Sequence, residues 1–397
     1  MKIKILILLI LASIIVPLAA QEGESNPRLD SYLRNFARAS LSTKLEILQN
    51  AEQEGPEGFG PLYVKAIDFV LGNQSLLETD STMRQLSVLA SRLVGEAGYT
   101  EGRMRLWRLF EIDTDTSVRN AILRSLSLIG GGDAQIVAEL NRWVSSQNTL
   151  FLTGQKPNLQ VLAQAVTTLG ELGDPSSFPI LFTTMNLRFS EIISELAEEA
   201  LFDIDAEFKD LIIQVIEKNV IREKLAALNM ALETGELSND EKGEVAERAL
   251  EVGLETSSPD ATEKTQLREI RFTAIRALTE RSWSRATPLV IRHFDITVME
   301  YDRGIIRKDN FLEALAALGA MATHEAAVRL NLYLDLLNTY KEQDKQVDEQ
   351  IILAVIRNLG KLGDKVATDN LLYVGYLNYS QTVRNAAREA LGNLRQN

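Results

Sequence analysis

The sequence predicts an all-α fold, an α-α superhelix in the form of a repeat solenoid of about ten helix pairs. Three observations carry that expectation: a helix-forming composition, apolar residues spaced with the period of a helix, and a short motif that returns at intervals of one helix pair. Only 9 Pro and 6% aromatic residues, against a surplus of Leu, Ala, Glu and Arg, leave little room for long irregular connections. A hydrophobic share of 45% rules out wholesale disorder. At 397 residues the chain could hold two or three closed domains or one elongated array that never closes a single core, and the composition favours the array.

Leu159, Leu162, Val166 and Leu169 follow one another at helical spacing, as do Ile351, Ile352, Val355, Ile356 and Leu359; neither run alternates as a strand would. Asp or Ser precedes many such runs and Gly closes them, as helix caps require. Val118-Arg119-Asn120-Ala121 recurs as Val383-Arg384-Asn385-Ala386, and each Val is followed eight residues later by a Leu near a glycine turn, Leu126 and Leu391. Counting back eight from Leu278 gives Ile270-Arg271. Leu169-Gly170-Glu171-Leu172-Gly173-Asp174 is matched by Leu359-Gly360-Lys361-Leu362-Gly363-Asp364. The marker leucines Leu126, Leu169 and Leu201 lie 43 and 32 residues apart, and Leu318, Leu359 and Leu391 lie 41 and 32 apart, which are helix-pair periods.

At these residues the chain resembles the HEAT repeat family, in particular the short bacterial HEAT-like units that also occur in phycobilin lyases. The resemblance implies that the Val-Arg pair opens the second helix of each pair and that the Leu-Gly-x-Leu-Gly-Asp run ends it. It also implies that Arg119, Arg271 and Arg384 are ladder residues tying adjacent repeats together. It spans roughly residues 101–396 and thins over 204–260, where the markers degenerate. Residues 21–100 are expected as an N-terminal helical capping region and 101–397 as the repeat array, with the first pair, near 28–53, and the last helix, near 380–395, closing the stack.

Residues 1–20 have the order of a secretory signal: Lys2 and Lys4, an apolar run from Ile5 to Val16, then Pro17-Leu18-Ala19-Ala20, with cleavage expected after Ala20. An uncleaved anchor is the alternative. No second apolar run approaches membrane length, so no stable membrane insertion is expected after cleavage. The absence of cysteine excludes a lipid-modified cysteine and a disulfide framework, and suits a bacterial periplasm. Loss of the two lysines takes the net charge from −13 to −15, a poor match to nucleic acid, whose phosphates need a basic face.

The chemistry-bearing residues form no catalytic constellation, and neither a cofactor nor a metal is expected. His293 and His324, the only histidines, fall in different repeats and read as surface or partly packed side chains. Gly130-Gly131-Gly132-Asp133 lacks the Lys and hydroxyl of a phosphate loop and reads as a turn between repeats. Asp113-Thr114-Asp115 and Asp203-Ile204-Asp205 do not continue into a calcium loop and read as caps and turns.

Charge is distributed more tellingly. Residues 191–255 carry 18 acidic against 6 basic side chains, and 264–308 carry 10 basic against 5 acidic. Solvated helix faces are one reading; a bipolar surface that orients a partner is the other. The partner-binding candidates are Arg268, Arg276, Arg281, Arg285 and Arg292 in the basic stretch, Trp283 as the tryptophan expected to be exposed, and Tyr373, Tyr376 and Tyr379 as one helical stripe. Trp107 and Trp143 are assigned to the core. Four stretches, 148–157, 255–264, 300–308 and 338–347, read as extended links between first and second helices, which would all emerge on one edge. The expectation is an exported, non-catalytic scaffold or adaptor that holds another protein, one with an acidic surface, through that edge or its second-helix surface. A tetrapyrrole lyase or isomerase, by analogy with the enzymes sharing the repeat, and an envelope glycan binder are the alternatives.

Overall fold

The computed structural model describes residues 27–77, 79–204 and 206–396. The expected signal segment and Asp205 lie outside them. Twenty α-helices and no strand are found among the described residues, so the fold is all-α and built of helix pairs. Contacts divide the chain into two compact units, with the boundary at Gly131/Gly132. The first unit contains α1 (Pro27–Arg38) with α2 (Leu41–Gln53), α3 (Gly60–Gly72) with α4 (Ser81–Glu96), and α5 (Arg103–Ile112) with α6 (Thr116–Ile129).

The second unit begins with α7 (Ala134–Leu152) and α8 (Leu159–Leu172), α9 (Phe178–Leu187) and α10 (Glu191–Phe202), and α11 (Phe208–Lys218) and α12 (Ile221–Glu233). It continues through α13 (Asn239–Glu255) and α14 (Ala261–Glu280), α15 (Thr287–Asp302) and α16 (Lys308–Ala320), α17 (His324–Glu342) and α18 (Glu349–Leu362), and α19 (Thr368–Val374) and α20 (Gln381–Gln396).

Side chains cap these helices as the sequence suggests. Asp115 Oδ1 accepts from the amides of Ser117 and Val118 at 2.8 and 3.2 Å, and Asp133 caps α7 in the same way. Asp113 Oδ1 in turn accepts from the Asp115 amide at 2.8 Å, so this carboxylate pair is spent on the turn. The two Leu-Gly-x-Leu-Gly-Asp runs fold alike. Gly173 and Gly363 take the left-handed conformation, φ +63° and +69°, and stop α8 and α18. Asp174 and Asp364 then each cap a single 3-10 turn, accepting from Ser176 and Val366 amides at 2.9 Å.

Within each unit, second helices pack on second helices and first on first: α2, α4 and α6 in one, α12, α14, α16, α18 and α20 in the other. The earlier glycine of the motif permits this. A Cβ at Gly170 would lie 2.8 Å from Ala200 Cβ, and one at Gly360 2.9 Å from Ala390 Cβ, so α8 meets α10 and α18 meets α20 nearly backbone to backbone. The marker leucines Leu126, Leu169, Leu201, Leu278, Leu318 and Leu359 are buried in the resulting core, whereas Leu391, on the last helix, is half-buried.

Two expectations need correction. The four extended links are short: residues 153–158, 256–260, 303–307 and 343–348. The additional residues lengthen the helices instead. α7, α13, α15 and α17 have 19, 17, 16 and 19 residues, against 10 in α5 and α9. Helix extension satisfies each added amide within the chain, which an open loop would leave to solvent. All four links do join a first helix to its second. Three share one cap, with a left-handed Gly154, Gly304 or Asp344 and a bond from the next amide back to a carbonyl of the last turn: Gln155 to Leu150, Ile305 to Glu300 and Lys345 to Tyr340, each 2.9 Å.

The second correction concerns the ladder arginines. Arg119 ties the two helices of its own pair together, its Nε donating to Asp113 O at 2.6 Å and Phe110 O at 3.2 Å. Lys44 does the same to Phe36 and Ala39 carbonyls at 2.6 Å, and Lys224 to those of Ile216 and Glu217 at 2.6 and 2.7 Å. Each stands four residues after the N-cap position, so the cation reaches the carbonyls that the preceding helix leaves unpaired at its C-terminus. Burial lowers the pKa of all three. Arg271, mid-helix in α14, does tie adjacent pairs as expected, donating to Glu300 of α15 at 2.8 Å, whereas Arg384 bonds Gln381 on its own helix, so the correction applies to Arg119 and Arg384.

Candidate functional site

The basic stretch folds as α14, α15 and their links, and most of its charge is used internally. Arg285 Nε donates to Glu247 Oε2 at 2.7 Å and its guanidinium lies over the Trp283 ring; Glu244, 3.9 Å away, completes the set. Arg281 is turned inward to Asn239 O and Ala277 O at 3.2 and 2.9 Å. Arg276 reaches Glu313 of α16 at 3.6 Å and Thr273 at 3.0 Å. Arg292 is exposed on α15. The acidic and basic runs are adjacent in space because α13 packs against α14, and much of the bipolar pattern is cross-helix pairing.

The aromatic candidates also change standing. Trp283 is half-buried, with its ring on Gly243 of α13 and its Nε1 donating to Glu247 Oε2 at 2.7 Å, so it is not an exposed tryptophan. Trp107 is buried and Trp143 half-buried. Tyr373, Tyr376 and Tyr379 do not form a helical stripe, because α19 ends at Val374. Tyr376 is 84% exposed, while Tyr379 is buried and donates to Leu337 O at 3.1 Å. Tyr373 donates to Glu342 at 3.0 Å.

The histidines stand apart. His293 is wholly buried in α15, edge-on to Phe272, which corrects the expectation of a surface or partly packed residue. Burial, then the charge of Arg271, pushes its pKa down to about 3. His324, at the start of α17, is exposed, and its bond to Asp364 at 2.7 Å raises its pKa.

Arg268 and Arg271 remain. Both reach the same atom, Glu300 Oε1, at 3.4 and 2.8 Å. Arg271 is more than nine-tenths buried, yet its Nη1 and the Oε2 of Glu300 have no hydrogen-bond partner among the described residues. This triad forms the floor of a groove of about 500 Å³ between the 256–260 and 303–307 links. Lys264 and Arg303 stand on its rim, both exposed. The apolar residues Leu254, Leu267, Ile296, Met299 and Ile305 line it together with Thr256 and Ser257. Met299 and Ile305 are about half exposed, at 50% and 49%. Four cations thus face one carboxylate in a chain whose net charge is −13. Among the described residues, no cluster of three or more His, Cys, Asp or Glu is arranged to hold a metal ion.

No family model and no curated protein matches the chain. Among solved structures it is similar to one described as "A conserved phosphorylation switch controls the interaction between cadherin and beta-catenin in vitro and in vivo", at 12% identity over 93% of this chain and 94% of that one, with a TM-score of 0.33. At that score the likeness supports no argument about function.

Of the nine candidates read from the sequence, only Arg268 lines this groove. Lys264, Met299, Glu300, Arg303 and Ile305 were not singled out individually, although the 255–264 and 300–308 stretches contain all of them but Met299, which directly precedes the second. Their long spacing was the available signal; which side chains converge depends on how α13, α14 and α15 pack.

Proposed function

We propose that this chain is an exported HEAT-like repeat protein that acts without catalysis, as a scaffold or adaptor holding another protein that presents an acidic surface. The observation that carries this reading is the basic, part-apolar groove on the edge where first helices pass to second helices. It interrupts an otherwise acidic chain and offers side chains suited to recognition rather than bond-making. The HEAT-like assignment is supported by the identical fold of the two Leu-Gly-x-Leu-Gly-Asp runs and by burial of the Val118, Ile270 and Val383 positions. Export to a periplasm rests on the order of charge and apolar residues in 1–20 and the absence of cysteine. No described helix is long and apolar enough to cross a membrane.

The test is to express the full chain in a bacterium, determine the N-terminus of the exported form, and identify what cross-links to it in envelope extracts. A mature N-terminus at Gln21 and a specific protein partner are expected. A bound tetrapyrrole or other small coloured ligand would overturn the non-catalytic reading, and retention in the cytoplasm would overturn export.

A further inference from the structure

We infer that the groove between the 256–260 and 303–307 links is a carboxylate-exchange site that takes an extended acidic peptide segment, Asp or Glu beside an apolar residue, from a partner protein. The inference rests on the protein-binding reading above and names the ligand of that site. Its starting point is the sharing of one oxygen. Glu300 Oε1 is held by both Arg268 and Arg271, while Arg271 Nη1 and Glu300 Oε2 are left without partners. A guanidinium and a carboxylate reach their strongest pairing as a bidentate fork, with two parallel N–H···O bonds. Two arginines competing for one oxygen prevent it here.

An incoming carboxylate resolves the competition. It draws off Arg268, which is partly open to the groove with 23% of its side chain exposed, and leaves Glu300 to Arg271. A small rotation of the Glu300 carboxyl then lets its second oxygen meet the unspent Nη1, completing the fork on the floor. Every charged group is paired in the occupied site, whereas the empty site leaves two buried polar atoms unmatched. Lys264 and Arg303 on the rim add attraction for further acidic residues and would act mainly on the rate of encounter.

The apolar walls favour a peptide over a free inorganic anion. Phosphate would use the cations and leave Met299 and Ile305, both about half exposed, uncovered. An extended segment places successive side chains on opposite sides, so an apolar residue next to the carboxylate can cover Met299 and Ile305 while the carboxylate meets Arg268. Thr256 and Ser257 line the groove from the 256–260 link, where their hydroxyls can pair with peptide backbone.

The experiment is selection of a random peptide display library on the full mature chain, repeated on Lys264→Glu/Arg303→Glu and, separately, on Arg268→Gln. The first variant changes only exposed side chains, so it tests the groove without disturbing the core; circular dichroism checks both. Wild-type selection is expected to enrich Asp or Glu beside Leu, Ile, Val or Phe. The selected peptides should bind each variant at least about tenfold more weakly, the effect of losing a charge-assisted hydrogen bond. Excess inorganic phosphate should compete poorly. The inference is overturned if no peptide is selected, if the selected motif lacks a carboxylate, if both folded variants bind as wild type does, or if phosphate displaces the peptides completely. A natural partner captured equally by wild type and both variants keeps the scaffold reading and overturns this one.

Discussion

Replacing Leu169 by Ala tests the helix register most directly. Leu169 is fully buried on α8, one residue before the glycine that brings α8 against α10. Losing the side chain forfeits its transfer free energy and leaves a cavity, together about 2–5 kcal/mol in a core that cannot close over the gap. The structure says which end of that range applies. A Cβ at Gly170 would already be 2.8 Å from Ala200 Cβ, so the two helices have no room to move together and collapse into the space. A cost in the upper half, about 3–5 kcal/mol, is therefore expected. Leu391, eight residues after Val383 as Leu126 is after Val118, provides the comparison because it is only half-buried. Its replacement by Ala should cost about 1–2 kcal/mol, because the site is already partly open to water. Urea titrations followed by helical circular dichroism measure both, with midpoint and slope compared, since an array of repeats need not unfold in a single step. Equal costs at the two positions, or a Leu169→Ala midpoint matching wild type, would refute the register and the packing argument together.

Three further outcomes are expected. Lys224→Met should destabilise the second unit by about 1–3 kcal/mol, because the Ile216 and Glu217 carbonyls lose their buried donor; denaturation of the variant measures it, and a neutral result would mean water replaces the ammonium without cost. The histidines should act in opposite directions with pH. His293, held down to about 3 in the fold against an ordinary 6.5, gives stability that is present above 6.5 and lost as pH falls towards 3, so His293→Gln should flatten the acid side of a stability–pH curve. His324, raised by Asp364, gives stability that is present below 6.5 and lost as pH rises through its folded pKa; an NMR titration should place it above 6.5, and Asp364→Asn should bring it back down.

Some features were legible in the residues themselves because they are local. Helical periodicity, Asp and Ser caps, the two Leu-Gly-x-Leu-Gly-Asp stops and the pairing into about ten units follow from backbone geometry over a few residues, and the structure reproduces them. Tertiary contacts decided the rest. Length that reads as loop, as in 338–347, became extra helical turns because the backbone bonds could be kept within the chain. Tyr373, Tyr376 and Tyr379 share a spacing but not a helix, since α19 stops at Val374. Neutralisation of Arg285 by Glu247, 38 residues away, and the sharing of Glu300 by Arg268 and Arg271 across two helices arise only when α13, α14 and α15 are packed. A charge run along the chain fixes which ions are present. Which of them face each other, and which are left to meet a partner, depends on distances of a few ångströms that the fold alone sets.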